Sequence, residues 1–103
     1  MNDKKSFILY FDAMRLFLML PVEQRGWLIT ALADFAYMVA EDQALIWEEV
    51  ADRYPALDEN SRFVMQFMCG SIARDTTKWH NQRSARLRRQ EEKRRRLEEE
   101  GEQ

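Results

Sequence analysis

The sequence predicts an all-α protein, a compact bundle of three main helices plus a short helix, whose last helix is extended as a long charged arm. Apolar residues recur at three- and four-residue spacing, which gives a helix one apolar face. Pro21 and Pro55 separate the periodic segments. Neither glycine nor proline occurs between Ser71 and Gly101, so nothing interrupts the last helix. A length of 103 residues allows one domain.

The first helix is predicted over residues 7–20. Its first five residues, Phe7–Phe11, fit either a strand or a buried helical turn, because periodicity cannot separate the two in so short an apolar run. We choose helix, because good helix formers follow Asp12 and no second strand candidate exists to pair with. Pro21 ends this helix and suits the first turn of the next one.

The second helix is predicted to reach about Ala40, and a short amphipathic segment is predicted within residues 43–54. Gly26 and Gly70 are interpreted as points of close helix packing, since glycine otherwise destabilises a helix interior by about 1 kcal/mol. Asp58 is predicted to be the N-cap of the last helix.

The last helix is predicted to be buried as far as Ala73 and to continue to about Glu100. At 1.5 Å per residue, roughly forty residues would span about 60 Å. We therefore divide the chain into a helical body, residues 6–79, and a charged helical extension, residues 80–103, called the arm below. Fraying or disorder of the arm from about Arg88 onward is an alternative.

The charge is distributed unevenly along the chain. Residues 1–77 contain seven basic and twelve acidic residues, a net charge of −5. Residues 83–96 contain eight basic and two acidic residues, a net charge of +6. An acidic body should repel a polyanion, and a basic helix should attract one, because each neutralised phosphate releases a counterion.

Five cations of the arm form one stripe at three- and four-residue steps, and we predict that they bind nucleic acid weakly and without sequence specificity: Arg83, Arg86, Arg89, Lys93 and Arg96. The alternative is a solvated helix. It is supported by Glu–Arg pairs four residues apart, such as Glu91–Arg95, each worth about 0.2–0.5 kcal/mol.

A second candidate contact lies where the last helix leaves the body, at Arg74, Lys78 and Trp79. A cation beside an aromatic ring can hold a phosphate or a base, and Arg74 could stack on Trp79. The structural alternative, an ion pair of Arg74 with Asp12 or Asp34, is favoured.

The sequence offers no basis for an enzyme, a cofactor or a metal site. His80 is the only histidine and is expected at the surface, while Cys69 is expected in the core, too far along the helix to be activated by His80. A single cysteine and the absence of a signal-like or membrane-spanning segment predict a cytoplasmic protein.

Self-association is predicted, because twelve aromatic residues and six methionines are a large apolar load for so short a body. A homo-oligomer would share a surface drawn from Phe11, Met14, Leu18, Trp27 and Tyr37. In the alternative function, the protein is a structural or oligomerisation module, and its arm is a solubilising spacer.

Five short sequence motifs resemble a family of small phage and prophage domains of unknown function. They are S-F-I-L-Y-F-D at Ser6–Asp12, L-P-V-E-Q-R-G-W-L at Leu20–Leu28, F-A-Y at Phe35–Tyr37, and the words F-V-M-Q-F and S-I-A-R-D-T-T-K-W between Phe63 and Trp79. The resemblance covers residues 6–79. In that family an Asn- and Gly-rich turn commonly follows the last helix, whereas this chain continues into its Arg- and Glu-rich arm.

Members of that family are often encoded beside replication proteins or fused to them. The resemblance therefore implies a non-enzymatic accessory protein in a DNA-replication context. Its expected partner is nucleic acid or a phage or host replication protein.

Overall fold

The computed structural model describes residues 4–101 and consists of four helices joined by short connections. They are α1 (Phe11–Leu18), α2 (Val22–Glu41), α3 (Trp47–Ala51) and α4 (Glu59–Gly101). No residue in this range forms a strand. The predicted all-α fold with a long final helix is confirmed, and α4 continues as one helix to Gly101.

The hydrophobic core lies mainly between α2 and the first half of α4, with α1 and α3 packed against α4. Its largest members are completely or almost completely buried: Leu28, Leu32, Phe35, Met65, Met68 and Ile72. On both helices these residues follow the predicted three- and four-residue spacing. Because α4 continues far past this core, the molecule is 69 Å long but only 25 by 16 Å across.

The prediction of helix over residues 7–10 is wrong, since α1 begins only at Phe11. The preceding backbone is extended, with φ −81° and ψ 149° at Tyr10. In an extended chain successive side chains point to opposite sides. Phe7 and Leu9 accordingly pack against the core, and Ile8 and Tyr10 are exposed. The Tyr10 hydroxyl donates a 2.7 Å hydrogen bond to Asp75 of α4, which fixes this extended segment against the body.

The connection between α1 and α2 is held by Arg25. Its Nε and Nη2 donate to the carbonyl oxygens of Leu20 and Leu18, at 2.8 and 2.6 Å. Carbonyls at a helix C-terminus have no partner within the helix, so a cation there satisfies two of them. Pro21 is the N-cap residue of α2, one position before the first helical turn in which the sequence predicted it.

The start of α4 is capped by two side chains. The carboxylate of Asp58 accepts the backbone N–H of Ser61 at 2.8 Å, which confirms the predicted N-cap. Gln24 of α2 adds a second link, because its Oε1 accepts both the backbone N–H of Asp58 and the buried hydroxyl of Ser61. Its amide nitrogen donates to the carbonyl of Ala56 at 2.9 Å.

The predicted close packing at the two helical glycines is wrong. A Cβ atom on Gly26 would meet nothing within 4 Å. A Cβ atom on Gly70 would meet only the side chain of Arg74, at 3.5 Å. Both glycines lie on outer faces of their helices, where no other helix approaches.

The short segment at residues 43–54 is helical only over the five residues of α3. A turn precedes the helix, in which Asp42 accepts the backbone N–H groups of Ala44 and Leu45. Val50 and Ala51 are completely buried. The segment therefore closes one side of the core.

Candidate nucleic-acid interface

Beyond its first residue, His80, the arm extends away from the body as the last part of α4. Every residue from Asn81 to Gly101 is exposed, apart from the half-buried Ala85. At 3.6 residues per turn, the five predicted cations lie within about 140° of the helix circumference. The structure thus places these residues together on one stripe, open to solvent over four turns: Arg83, Arg86, Arg89, Lys93 and Arg96.

The Glu–Arg ion pairs predicted along the arm do not form in the structure. No arginine or lysine in residues 86–100 lies within 4.0 Å of a carboxylate of the described chain. Surface pairs of this kind contribute little, typically below about 1 kcal/mol, and are weakened by salt. The glutamate carboxylates therefore compete only weakly with a phosphate for the guanidinium groups of the arm.

The base of the arm carries an aromatic cluster. The guanidinium carbon of Arg83 lies 5.5 Å from the centroid of the Trp79 ring, within the range of a cation–π contact. The predicted stacking partner Arg74 does not occupy this place. A small groove of about 190 Å³ lies beside the ring, lined by Trp79, Gln82, Arg83 and Arg86. An indole and two guanidinium groups in one groove can stack on a base and bind its phosphate.

His80 anchors the arm to the body, and the prediction that it is exposed is wrong. Its side chain is half-buried, and Nε2 lies 2.8 Å from the carbonyl oxygen of Ala40, which accepts the hydrogen bond. His80 follows the buried Thr76 by one turn, so it lies on the core face of α4. Its ring also meets Trp79 edge-on, with 4.8 Å between centroids and 75° between planes.

A second groove of about 190 Å³ adjoins this cluster through Ala40. Its lining includes Lys4 and Lys5, together with Tyr37 of α2, whose side chain is 66% exposed. No periodic pattern in the sequence links these two lysines to the arm. The extended N-terminal segment brings two cations beside Tyr37 of α2, at the base of the arm.

Several residues at or beside the predicted contact on the body stabilise the fold. Asp75 accepts the hydrogen bond from Tyr10, and this raises the pKa of the tyrosine because deprotonation would place a second negative charge beside the carboxylate. Arg74 pairs with neither of the predicted carboxylates and donates to the Ser71 hydroxyl at 3.2 Å. Asp34 instead accepts from the hydroxyl of Tyr54. Lys78 is exposed.

The single cysteine of the described residues is buried, and these residues hold no cluster of metal ligands. Burial raises the pKa of the Cys69 thiol to about 12, so the thiol stays protonated and unreactive at neutral pH. Residues 4–101 contain no group of three metal-ligating side chains. Among the same residues, none of the helices combines the length and the apolar character that crossing a bilayer requires.

Comparison with protein families gives a match over residues 6–100 to a model described as "Family of unknown function (DUF6291)". The chain belongs to the DUF6291 family. The match runs along the arm to residue 100, whereas the resemblance noted in the sequence covered only the body. The description of DUF6291 does not mention phages or replication, so that context stays a prediction. No curated protein and no solved structure matches the chain.

Within this DUF6291 protein, several of the motif residues stabilise the fold. Gln24 and Arg25, from the word at Leu20–Leu28, cap α4 and α1. Tyr10 and Asp75, from the first and last words, bind each other. These positions therefore contribute to the stability of the fold.

Proposed function

We propose that this DUF6291 protein is a non-enzymatic accessory factor that binds nucleic acid weakly and non-specifically through its arm. The observation that carries the proposal is the stripe of five exposed cations on a helix that projects clear of an acidic body. Arginines on a helix at this spacing can follow a phosphate backbone without contacting base edges. We expect dissociation constants of about 10⁻⁴–10⁻⁶ M at physiological salt.

The grooves at the base of the arm support a preference for single strands. Trp79 offers a ring beside Arg83 and Arg86, and Tyr37 offers a second ring beside Lys4 and Lys5. Aromatic rings stack on unpaired bases of any sequence, at about 1–3 kcal/mol per base. A duplex would gain only the phosphate contacts.

The replication context of the proposal comes from the resemblance to phage and prophage domains. A replication protein is the second partner class that the resemblance implies. Both partner classes can be bound at once if the arm holds nucleic acid loosely and the body contacts the replication protein. This part of the proposal is tested by pull-down from phage-infected host extract, with the arm removed in a parallel sample.

The binding experiment is fluorescence anisotropy of labelled mixed-sequence single-stranded DNA at 50 and 200 mM salt. The test variant reverses three charges of the stripe, Arg86→Glu, Arg89→Glu and Lys93→Glu. The matched control reverses the three arginines of the arm that lie outside the 140° stripe, Arg88→Glu, Arg94→Glu and Arg95→Glu. Both variants change the net charge by −6, so they separate the stripe from overall charge.

We expect the wild type to lose affinity steeply between the two salt concentrations. The stripe variant should lose most of its binding, and the control variant should lose distinctly less. Equal binding by the wild type and the stripe variant would contradict the proposal. If the wild type fails to bind even at 50 mM salt, the alternative function holds, a structural module whose arm is a solvated spacer.

A further inference from the structure

The outer face of α4, opposite the core, carries large exposed apolar side chains. Phe63 is 69% exposed and Phe67 is 50% exposed, one turn apart. On the other side of the same helix Met65, Met68 and Ile72 are buried. A helix that is apolar on opposite faces is typical of one that is covered on both.

This outer face has a concave part centred on Gly70. A groove of about 370 Å³ is lined by Phe63, Gln66, Phe67, Gly70 and Arg74. A neighbouring groove of about 240 Å³ shares Gln66 and Gly70 with it and is bounded by Ile46 and Trp47. Because Gly70 has no side chain, the surface dips there, while one and two turns earlier Phe67 and Phe63 stand out from it.

Opposite charges lie at the two ends of this face. Glu59 begins α4, and Arg74 lies 15 residues further on, about 22 Å along the helix. No basic group of residues 4–101 lies within 4.0 Å of the Glu59 carboxylate, and no carboxylate of that range lies so close to the Arg74 guanidinium. Both charges are exposed and available to a partner.

The order of these residues makes the face complementary to itself. When two identical helices pair antiparallel about a twofold axis, each residue of one copy faces a residue of the other copy. The two residue numbers of a facing pair add up to the same total along the whole interface. An axis between Gln66 and Phe67 places Phe63 opposite Gly70 of the second copy and Glu59 opposite Arg74 of the second copy. A projecting ring then faces a groove, and each charge faces its opposite, twice by symmetry.

We propose that two copies of this chain form an antiparallel dimer through this face, with Phe63 of each copy seated in the groove at Gly70 of the other. The proposal does not depend on nucleic-acid binding. It uses a surface on α4, different from the residues predicted for self-association. Of those, the structure places Trp27 against Tyr54 and Tyr37 in the groove with Lys4 and Lys5.

Electrostatics also favours a second copy in this orientation. Antiparallel pairing directs the two arms to opposite ends, and the dimer then spans about 100 Å along α4. Parallel pairing would bring two +6 segments side by side, which is unfavourable. An aromatic ring that fills a pocket near the centre of an interface is the kind of anchor that contributes strongly to binding.

The proposal is tested by sedimentation equilibrium of the full chain between 1 and 100 μM. We expect the wild type to reach twice its mass of 12.4 kDa. Phe63→Ser should weaken the dimer at least about tenfold, since it removes a central anchor. Gly70→Leu should do the same by filling the groove, while the added side chain faces solvent and leaves the monomer folded, as circular dichroism will show.

The decisive measurement is a charge exchange. Glu59→Arg and Arg74→Glu should each weaken the dimer by placing like charges opposite each other, and the double variant should restore it. A wild type that stays monomeric at 100 μM would overturn the proposal. A dimer that is insensitive to Gly70→Leu would also overturn it. If both single charge changes weaken the dimer and the double variant does not restore it, this register is excluded.

Discussion

The two halves of α4 have the same backbone and opposite surroundings. Between residues 59 and 79 the helix carries completely buried side chains such as Met65, and it packs against the other three helices. Between residues 81 and 101 all but one residue is exposed, and the two leucines, Leu87 and Leu97, are 53% and 59% exposed. One continuous helix therefore passes from a hydrophobic core into water without a break.

This comparison shows that the two halves are helical for different reasons. In the body, burial of one face stabilises the helix, as it does in most globular proteins. In the arm, no packing is available, and the helix depends on good helix formers, mainly Arg, Glu, Gln and Leu, and on the absence of glycine and proline. Equivalent substitutions in the two halves should therefore differ in their effects on stability.

The largest difference is expected for removal of an apolar side chain. Met65→Ala in the core should lower the free energy of unfolding by about 2–5 kcal/mol, because it leaves a cavity. Leu87→Ala in the arm should change it by less than about 0.5 kcal/mol. Urea denaturation followed by circular dichroism measures both, and similar losses would show that the arm packs on the body.

Removal of the second cap of α4 should have the next largest effect. Gln24→Ala leaves the buried Ser61 hydroxyl and the Asp58 N–H without their acceptor, at a cost of about 1–3 kcal/mol. Gln82→Ala, a matched change in the arm, should leave the free energy of unfolding unchanged. A Gln24→Ala protein as stable as the wild type would mean that the link between α2 and α4 contributes nothing.

A smaller effect is expected where the two halves meet. His80→Ala removes the hydrogen bond to Ala40 and should cost about 0.5–1.5 kcal/mol. It should also raise the hydrogen-exchange rates of the amides that follow it in α4, because the arm loses its anchor. Asn81→Ala, one residue further on and exposed, is the control; if both variants behave alike, His80 does not anchor the arm.

Removal of the arm itself should matter less than a single change in the core. A chain ending at Gln82 should melt cooperatively, with a free energy of unfolding within about 1 kcal/mol of the wild type, since exposed charges contribute little. The helical signal at 222 nm should fall in proportion to the residues removed. Non-cooperative melting of the shortened chain would contradict this expectation.

The smallest effect concerns two tyrosines of the body. Hydrogen bonds to carboxylates raise the pKa of Tyr10 beside Asp75 and that of Tyr54 beside Asp34 above 10.0. Their contribution to stability is therefore complete below pH 10 and is lost as the pH rises through the raised values.

The wild type should thus lose slightly more thermal stability between pH 9 and 11 than the double variant Tyr10→Phe and Tyr54→Phe. Thermal melts at both pH values, followed at 222 nm, measure the difference. Removal of both hydroxyl groups abolishes this titration, so identical losses in the two proteins would show that neither hydrogen bond persists in solution.

The local features of this fold were predictable from the sequence. The core spacing of α2 and α4, the Asp58 cap, the break at Pro21 and the uninterrupted course of α4 all depend on residues within about four positions of one another. The stripe of the arm follows from the same periodicity. Helix geometry alone encodes such features, so they can be predicted without knowing how the helices pack against one another.

Other features were decided only by tertiary structure. Residues 7–10 are extended because Phe7 and Leu9 pack on the core and Tyr10 reaches Asp75, 65 positions away. His80 is half-buried because α2 ends beside it, and Gly70 opens a groove because no helix covers it. Each depends on partners distant in the sequence. Local periodicity gives the faces of a helix, and the packing of the whole chain determines which face is covered and by which residues.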